Sequence, residues 1–333
     1  MVKNNVLVTG ATGQVGSNLV RELSKNKNNN ITILIQENTW HPFLNGLKLK
    51  VIYGDITNEE DLKKALQGQK YVYHVAGVVS HNKFKNKLIY QTHVIGTKML
   101  LDECLKQKIK KVVVTASTAG IGIPKFKDVP LDENARFDFK SFKDDMYMYS
   151  KHIEIKLCSN FNKKGLNVCV VSPTTIYGEG DFGMHVGTLV KKIKSEEILF
   201  APPGGNAVVS VKDAIEGHIL AMKKGKSGEN YILANEFLTY LDLFNIVAKL
   251  LRVKKIEKVL PFWMLPPMKF FSLIVENIFG TKSPVTSAST DLKFRFRYFD
   301  SSKARKYLGW KPKQSFENAM RESIQFYRKY KLI

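Results

Sequence analysis

The chain has 333 residues, of which 44% are hydrophobic and 25% charged, a composition that fills an ordinary core and excludes a disordered, collagen-like or disulfide-stapled protein. Its formal net charge is +22, from 52 Lys and Arg against 30 Asp and Glu. The lysines are spread along the whole chain and no finger, basic zipper or aromatic RNA-binding motif accompanies them, so a nucleic-acid partner is not expected.

In chain order, Asn5–Thr9 reads as a buried strand, and Gln14–Ser24 as a helix with Val15, Leu19, Val20 and Leu23 on one face. Strands are expected at 31–35, 49–53, 71–75, 111–115 and 167–171. Thr57 followed by Glu60 has the form of a capping box opening a helix over 59–67. Long helices are expected over 86–107 and 146–163. Strands alternating with helices predict an α/β fold, a Rossmann-type doubly wound parallel sheet. Residues 1–178, with 207–235 returning, would form the cofactor domain, and 179–206 with 236–333 a smaller, mainly helical substrate lid. Cys104, Cys158 and Cys169 fit no metal spacing and are expected as buried thiols, with no metal site. The N-terminus has no secretion signal, so the expected location is cytoplasmic. Residues 259–279 are apolar and aromatic but interrupted by Pro266, Pro267, Lys269 and Glu276. The expectation there is a pair of short helices covering a substrate cleft, with an interfacial membrane contact the lesser alternative. Pro202-Pro203-Gly204-Gly205 reads either as a rigid loop over that cleft or as a plain turn.

Five motifs carry chemistry. Gly10-Ala11-Thr12-Gly13-Gln14-Val15-Gly16 follows the first strand and opens the first helix. A pyrophosphate must approach backbone N–H groups at a helix N-terminus closely, and glycines permit it. Asp55 and Ile56 end the third strand, where a carboxylate could accept from an adenine amino group and the isoleucine pack on the ring. Val75, Ala76 and Gly77 end the fourth strand with small residues that let a cofactor pass, and His74 before them reads as a packed, hydrogen-bonded residue. Thr115-Ala116-Ser117-Thr118 ends the fifth strand, at the sheet edge where ligands bind, with Ser117 expected to hold a substrate oxygen and Thr118 as the alternative contact. Tyr147 and Lys151 share a helix face. An ammonium beside a phenol lowers its pKa towards the working pH, so that the phenol can exchange a proton with a carbonyl or alcohol. Tyr149 lacks such a partner, because position 153 is Ile.

Together these motifs resemble the extended short-chain dehydrogenase/reductase family, of the NAD-dependent epimerase/dehydratase superfamily. The nearest likeness is to dihydroflavonol-reductase-like and hopanoid-associated sugar-epimerase-like members. The resemblance continues through Pro173-Thr174-Thr175-Ile176-Tyr177-Gly178, Val209-Ser210-Val211-Lys212-Asp213, Gly217-His218, Gly228-Glu229-Asn230-Tyr231-Ile232-Leu233, and Asp300-Ser301-Ser302-Lys303-Ala304 with Leu308-Gly309-Trp310-Lys311-Pro312. It implies that Ser117, Tyr147 and Lys151 form a catalytic triad. It also implies cofactor contacts from Gly10, Thr12, Gly13, Gln14, Val15, Gly16, Gln36, Asp55, Ile56, Val75, Ala76, Gly77, Thr115, Pro173, Thr174 and Ile176, and a homodimer through the two long helices. Two positions depart from the family pattern. His93 stands where an Asn is frequent, and Ser172 where many sugar-nucleotide enzymes have an Arg before the Pro. At the end of the second strand, Ile35-Gln36-Glu37 and the positive field lean towards NADP, with NAD as the alternative through Glu37.

The expected function is hydride transfer between a nicotinamide and a carbonyl or alcohol carbon of a small molecule. The alternatives are a nucleotide-sugar epimerase or dehydratase with retained NAD, and a non-catalytic cofactor-binding regulatory protein.

Overall fold

Alternation along the strands decides how this chain layers. In β1 (Asn4–Thr9), Val6 and Val8 point into one core and Leu7 into another. The computed structural model describes residues 4–142 and 145–333. From β1 the chain runs through α1 (Gln14–Ser24), β2 (Asn29–Ile35), β3 (Leu49–Tyr53), α2 (Glu59–Leu66) and β4 (Tyr71–His74). Next come α3 (Asn86–Tyr90), a π-helical turn (Gln91–Gly96), α4 (Thr97–Lys106), β5 (Lys111–Thr115), α5 (Phe139–Phe142), α6 (Met146–Lys163) and β6 (Val168–Pro173). A parallel seven-stranded sheet in the order β10-β6-β5-β4-β1-β2-β3 results, with β10 (Asn230–Leu233) at its edge. On one face lie α1, α8 (Val211–Lys224) and Trp310. On the other lie α2, α4 and α6, which contribute Leu62, Leu100, Cys104, Cys158 and Phe161. All three cysteines are buried free thiols.

The second part is built on β9 (Gly205–Ser210). It pairs in parallel with β7 (Thr175–Tyr177) and β13 (Phe296–Arg297), and antiparallel with β11 (Glu236–Thr239). The return to the main sheet therefore starts with α8 at Val211, and β9 belongs to the smaller sheet. A further core joins α7 (Gly187–Lys194), α9 (Tyr240–Leu251) and α12 (Phe316–Lys329) through Val190, Phe244, Val247, Met320 and Tyr327. The short strands β8 (Phe200–Ala201) and β12 (Lys258–Val259) pair beside it, and α10 (Leu265–Phe279) and α11 (Ser287–Lys293) pack on each other. Pro202-Pro203 lead into β9, where Gly204 and Gly205 donate to the carbonyls of Lys293 and Arg295.

Three local expectations are corrected. The cap of α2 is Asn58, whose side chain accepts from Asp61 N at 3.1 Å, while Thr57 turns its hydroxyl to Asp55. The helix expected over 86–107 is broken by the π turn, which swings His93 onto the backbone of Val78. The stretch 259–279 forms one short turn and a single helix, α10, instead of a helix pair.

The motifs shared by the C-terminal half hold one another. Buried Asp213 accepts from Lys313 N and Gln314 N at 2.9 and 3.1 Å, and Trp310 Nε1 donates to the Asp213 carbonyl at 2.8 Å. Asp213→Ala leaves the Lys313 and Gln314 N–H groups without an acceptor, and should cost about 2–4 kcal/mol in urea unfolding without altering the m-value.

Candidate active site

Strand order reverses direction between β1 and β4, and the crevice at that switch point is where such sheets take ligands. The glycine loop lies there. Gly10 has φ +68°, and a Cβ on it would stand 2.5 Å from Ala76 N. A Cβ on Gly16 would run into the Gly10 carbonyl. Both glycines are demanded by the chain's own packing. Gly13 is different: it is exposed, and its Cβ would meet only the Gly10 oxygen, at an ordinary 3.4 Å. As the N-cap of α1 it makes no side-chain cap bond, and the first turn carries no acidic residue. The α1 N-terminus therefore presents backbone N–H groups across a bare glycine, a cradle that fits a pyrophosphate.

Around it the structure gathers the expected residues. Thr12 meets His41 Nε2 through its carbonyl at 3.0 Å. The Gln14 side chain is tied to the Gly178 carbonyl at 3.0 Å, leaving Gln14 and Val15 to present backbone. Gln36 donates to Asp55 Oδ2 at 2.6 Å. Burial would raise the Asp55 pKa, but the Thr57 hydroxyl and N–H, with Gln36, hold it below the usual carboxylate range. Ile56 packs under Gly96. Val75, Ala76 and Gly77 border the crevice, and a Cβ on Gly77 would stand 2.6 Å from His93 Cε1. Pro173 and Thr174 are buried at the end of β6, where the Thr174 hydroxyl donates to the Leu233 carbonyl at 3.2 Å, and Ile176 follows in β7.

Tyr147 and Lys151 lie one turn apart on α6, which is capped by Asp145. Ser117 Oγ accepts from Ala119 N at 3.2 Å, and buried Thr118 reaches the Pro173 carbonyl at 3.5 Å. Lys151 is 4% exposed; its ammonium donates to Glu154 Oε2 at 2.7 Å and to the Thr115 carbonyl at 3.1 Å. The lysine is thus one half of a buried ion pair, with Glu154 fully enclosed.

Glu154 heads a row of buried hydrogen bonds. Thr9 Oγ1 accepts from the N–H groups of Val75 and Ala76, so its own proton goes to His74 Nδ1 at 2.8 Å. His74 is then protonated on Nε2, which donates to Thr97 Oγ1 at 3.0 Å, and Thr97 donates to Glu154 Oε1 at 3.1 Å. His74 is packed and hydrogen-bonded, as read from sequence. His93 Nδ1 stands 3.8 Å from the same carboxylate oxygen and has no hydrogen-bond partner among the described residues. Burial works to raise the Glu154 pKa, but Lys151 and the two histidines hold it at about 2. Burial pushes His74 and His218 down to about 4. His218 Nε2 pairs with Thr115 Oγ1 at 2.9 Å.

Near Tyr147 a narrow cleft is lined by Ala119, Met148, Leu292 and Phe299, with Thr118, His81 and Arg297 as its polar members. His81 Nδ1 bonds Asp145 Oδ2 at 2.7 Å, and its ring stands edge-on to Tyr147 with centroids 5.2 Å apart. Arg297 donates to Tyr240 Oη at 3.2 Å; its buried Nε has no partner, and no carboxylate lies within ion-pair distance, among the described residues. No cluster of metal-ligating residues occurs among the described residues.

Residues 6–234 match the model of the NAD dependent epimerase/dehydratase family. The chain belongs to this family. It is an oxidoreductase with an NAD-binding fold, as the sequence resemblance implied. A Synechocystis protein named for dihydroflavonol 4-reductase activity is 25% identical over 97% of the chain and 94% of its own length. The mouse protein named sterol-4-alpha-carboxylate 3-dehydrogenase, decarboxylating, is 23% identical over 96% and 89%. The crystal structure of gox2253 superposes with a TM-score of 0.84 at 27% identity, covering 98% of this chain and 99% of that one.

Sequence reasoning missed Glu154, the Thr9–His74–Thr97 row, His81 and Arg297. Glu154 was within reach, because a carboxylate three residues after a helical lysine shares its face. The pairing of His81 with Asp145 spans 64 residues and leaves no pattern in the sequence.

Glu154→Leu strands a buried ammonium and should cost about 3–5 kcal/mol in urea unfolding, whereas Lys151→Met combined with Glu154→Leu should recover most of that loss. Acid should also weaken the fold. His74 and His218 are held neutral, so the unfolded chain takes up protons first as pH falls from 6.5 to about 4. Unfolding free energies across that window should drop by up to about 1.4 kcal/mol per pH unit for each histidine. Glu154, lowered from 4.5 to about 2, adds a further loss over that lower range.

Proposed function

We propose that this chain is a nicotinamide-dependent dehydrogenase that oxidises a secondary alcohol, or reduces the matching ketone, on an apolar molecule bearing an acidic group. The observation that carries this reading is Arg297: a guanidinium without a counter-ion among the described residues, beside an otherwise largely apolar cleft next to Tyr147. Such a group is costly to enclose unless an anion joins it. The names of the relatives support a hydroxyl or ketone as the reacting group. The mouse relative's name also joins dehydrogenation to loss of a carboxylate. An acid placed β to the oxidised carbon becomes a β-keto acid. Its bond to the carboxylate breaks with release of CO2, and the electron pair remains on the product as an enolate, which takes up a proton to give the ketone.

When bound, the nicotinamide supplies the hydride acceptor or donor. In the oxidative direction Tyr147 takes the hydroxyl proton of the substrate, Ser117 or Thr118 orients that oxygen, and Arg297 fixes the acid. Lys151 is held in place by Glu154 and the Thr115 carbonyl. The lean towards NADP rested on the uncharged Ile35-Gln36 together with the overall positive charge. Locally, Glu37 and the Gln36-bound Asp55 border the adenosine end, and no Lys or Arg lies between Gln36 and Gly46, which supports NAD. Ser172 and the apolar cleft weigh against a nucleotide sugar. Leu88, Tyr90 and Ile95 are exposed on the helix expected at a homodimer interface.

Titration of purified protein should show NADH binding tighter than NADPH, and Gly13→Ala should weaken both while leaving stability nearly unchanged. With hydroxy acids as candidate substrates, Tyr147→Phe should lower kcat by about 10²–10⁴-fold and keep cofactor affinity. Arg297→Met should raise KM for the acid but not for the matching neutral alcohol. Equal KM values for acid and neutral alcohol in the unmodified enzyme would refute the acidic-group assignment. Tightly retained NAD together with stabilisation by a UDP-sugar would refute the dehydrogenase in favour of an epimerase or dehydratase.

A further inference from the structure

Helix α10 is inside out. Of its 15 residues only Ser272 and Glu276 are buried. Ser272 shares a hydrogen bond of 2.7 Å with Thr290, and Glu276 accepts from Lys83 N and Ser287 N at 3.0 and 3.2 Å. The polar side chains thus fasten the helix to the protein, and its apolar side chains face outward. Phe270, Phe271, Ile274 and Ile278 form an exposed stripe at helical spacing, continued in the preceding turn by Phe262 and Trp263, which is 72% exposed. An outward stripe of this size is not how a water-facing helix is built.

We propose that this face docks on a lipid bilayer carrying anionic headgroups, with α10 lying in the interface. Charge selects this occupant. From Arg252 to Arg295 the chain has eight Lys and Arg and three Asp and Glu. Of those acids, Glu276 is buried under the helix and Asp291 is paired with Lys269 and Arg295. Lys83, from the neighbouring turn, lies on the helix through Asn277 Oδ1 at 2.7 Å. Tryptophan and phenylalanine bordered by lysine suit the boundary between headgroups and acyl chains. A second copy across a two-fold axis would bring two basic rims together. No helix among the described residues is long and apolar enough to cross a membrane, so the contact is surface docking. The docked face adjoins the cleft: Glu276 holds Lys83, two residues beyond His81, and α11, packed on α10, supplies Leu292. An apolar substrate could pass from the bilayer to Tyr147 by a short route.

The test is sedimentation of the full chain with vesicles of phosphatidylcholine alone, or of phosphatidylcholine mixed equally with phosphatidylglycerol. A Trp40→Phe background lets emission report on Trp263, since Trp310 is fully buried. Binding is expected to the anionic vesicles, with a blue shift of emission and weakening by salt. Phe270→Glu with Phe271→Glu should reduce partitioning by about tenfold or more. Both side chains are exposed, so an unchanged far-ultraviolet dichroism spectrum is expected and serves as the folding control. Three results would overturn the proposal. One is absence of binding to anionic vesicles. Another is binding that the double variant leaves intact, which would reduce it to lysine electrostatics. The last is a concentration-dependent dimer that the variant abolishes, with no vesicle binding.

Discussion

The ion pair between Lys151 and Glu154 constrains everything around it. Two charges taken out of water are tolerated only when their remaining donors and acceptors are met. Here the Thr115 carbonyl meets the ammonium and the Thr97 hydroxyl meets the carboxylate, so α6, β5 and α4 must keep their mutual distances. The demand then passes outward. Thr97 needs His74, His74 needs Thr9, and Thr9 is satisfied by the N–H groups of Val75 and Ala76 that border the cofactor crevice. Lys151 on α6 and Thr9 at the foot of the glycine loop are thus joined by one continuous polar row.

The crevice divides its requirements between the chain and its ligand. Gly10 and Gly16 are fixed by contacts the protein makes with itself, whereas Gly13 is exposed at the head of α1 with only the Gly10 oxygen in ordinary contact. The cleft divides in a similar way. His81 is satisfied by Asp145, and Arg297 is left with a nitrogen that has no partner among the described residues. Groups that the fold leaves unmet at a sheet's carboxyl edge are those through which a ligand gains most.

The central sheet was readable in advance because buried strands and their following helices have strong local periods, as in Val6–Val8 and Leu19–Leu23. The glycine loop and the Tyr147/Lys151 pair were legible for the same reason: each is a short spacing on one element. The α2 cap was misread because Thr57 and Asn58 are both good capping residues, and Asp55 claims the threonine hydroxyl. The π turn left no trace, since it goes with a contact between His93 and the Val78 backbone that no local period reveals. Arg297 and His81 come together only after β13 has paired with β9, a pairing of two residues that no periodicity reveals. The apolar run over 259–279 was visible in the sequence, but which side of it faces water is decided by Glu276 and Ser272 reaching partners elsewhere.

The π turn at Gln91–Gly96 has a consequence for how this helix can change over time. A wide turn is in effect one residue inserted into an α-helical register, and each residue turns the helix by about 100°. Leu88 and Tyr90 precede the insertion, while Leu100, Leu101 and Cys104, which seal the core, follow it. Losing a single residue here would regularise the helix and at the same time rotate one half against the other. Either the core seal or the outward face would then be lost. Phase therefore ties the irregularity to the rest of the fold: its removal keeps both faces only together with a compensating insertion on the same helix.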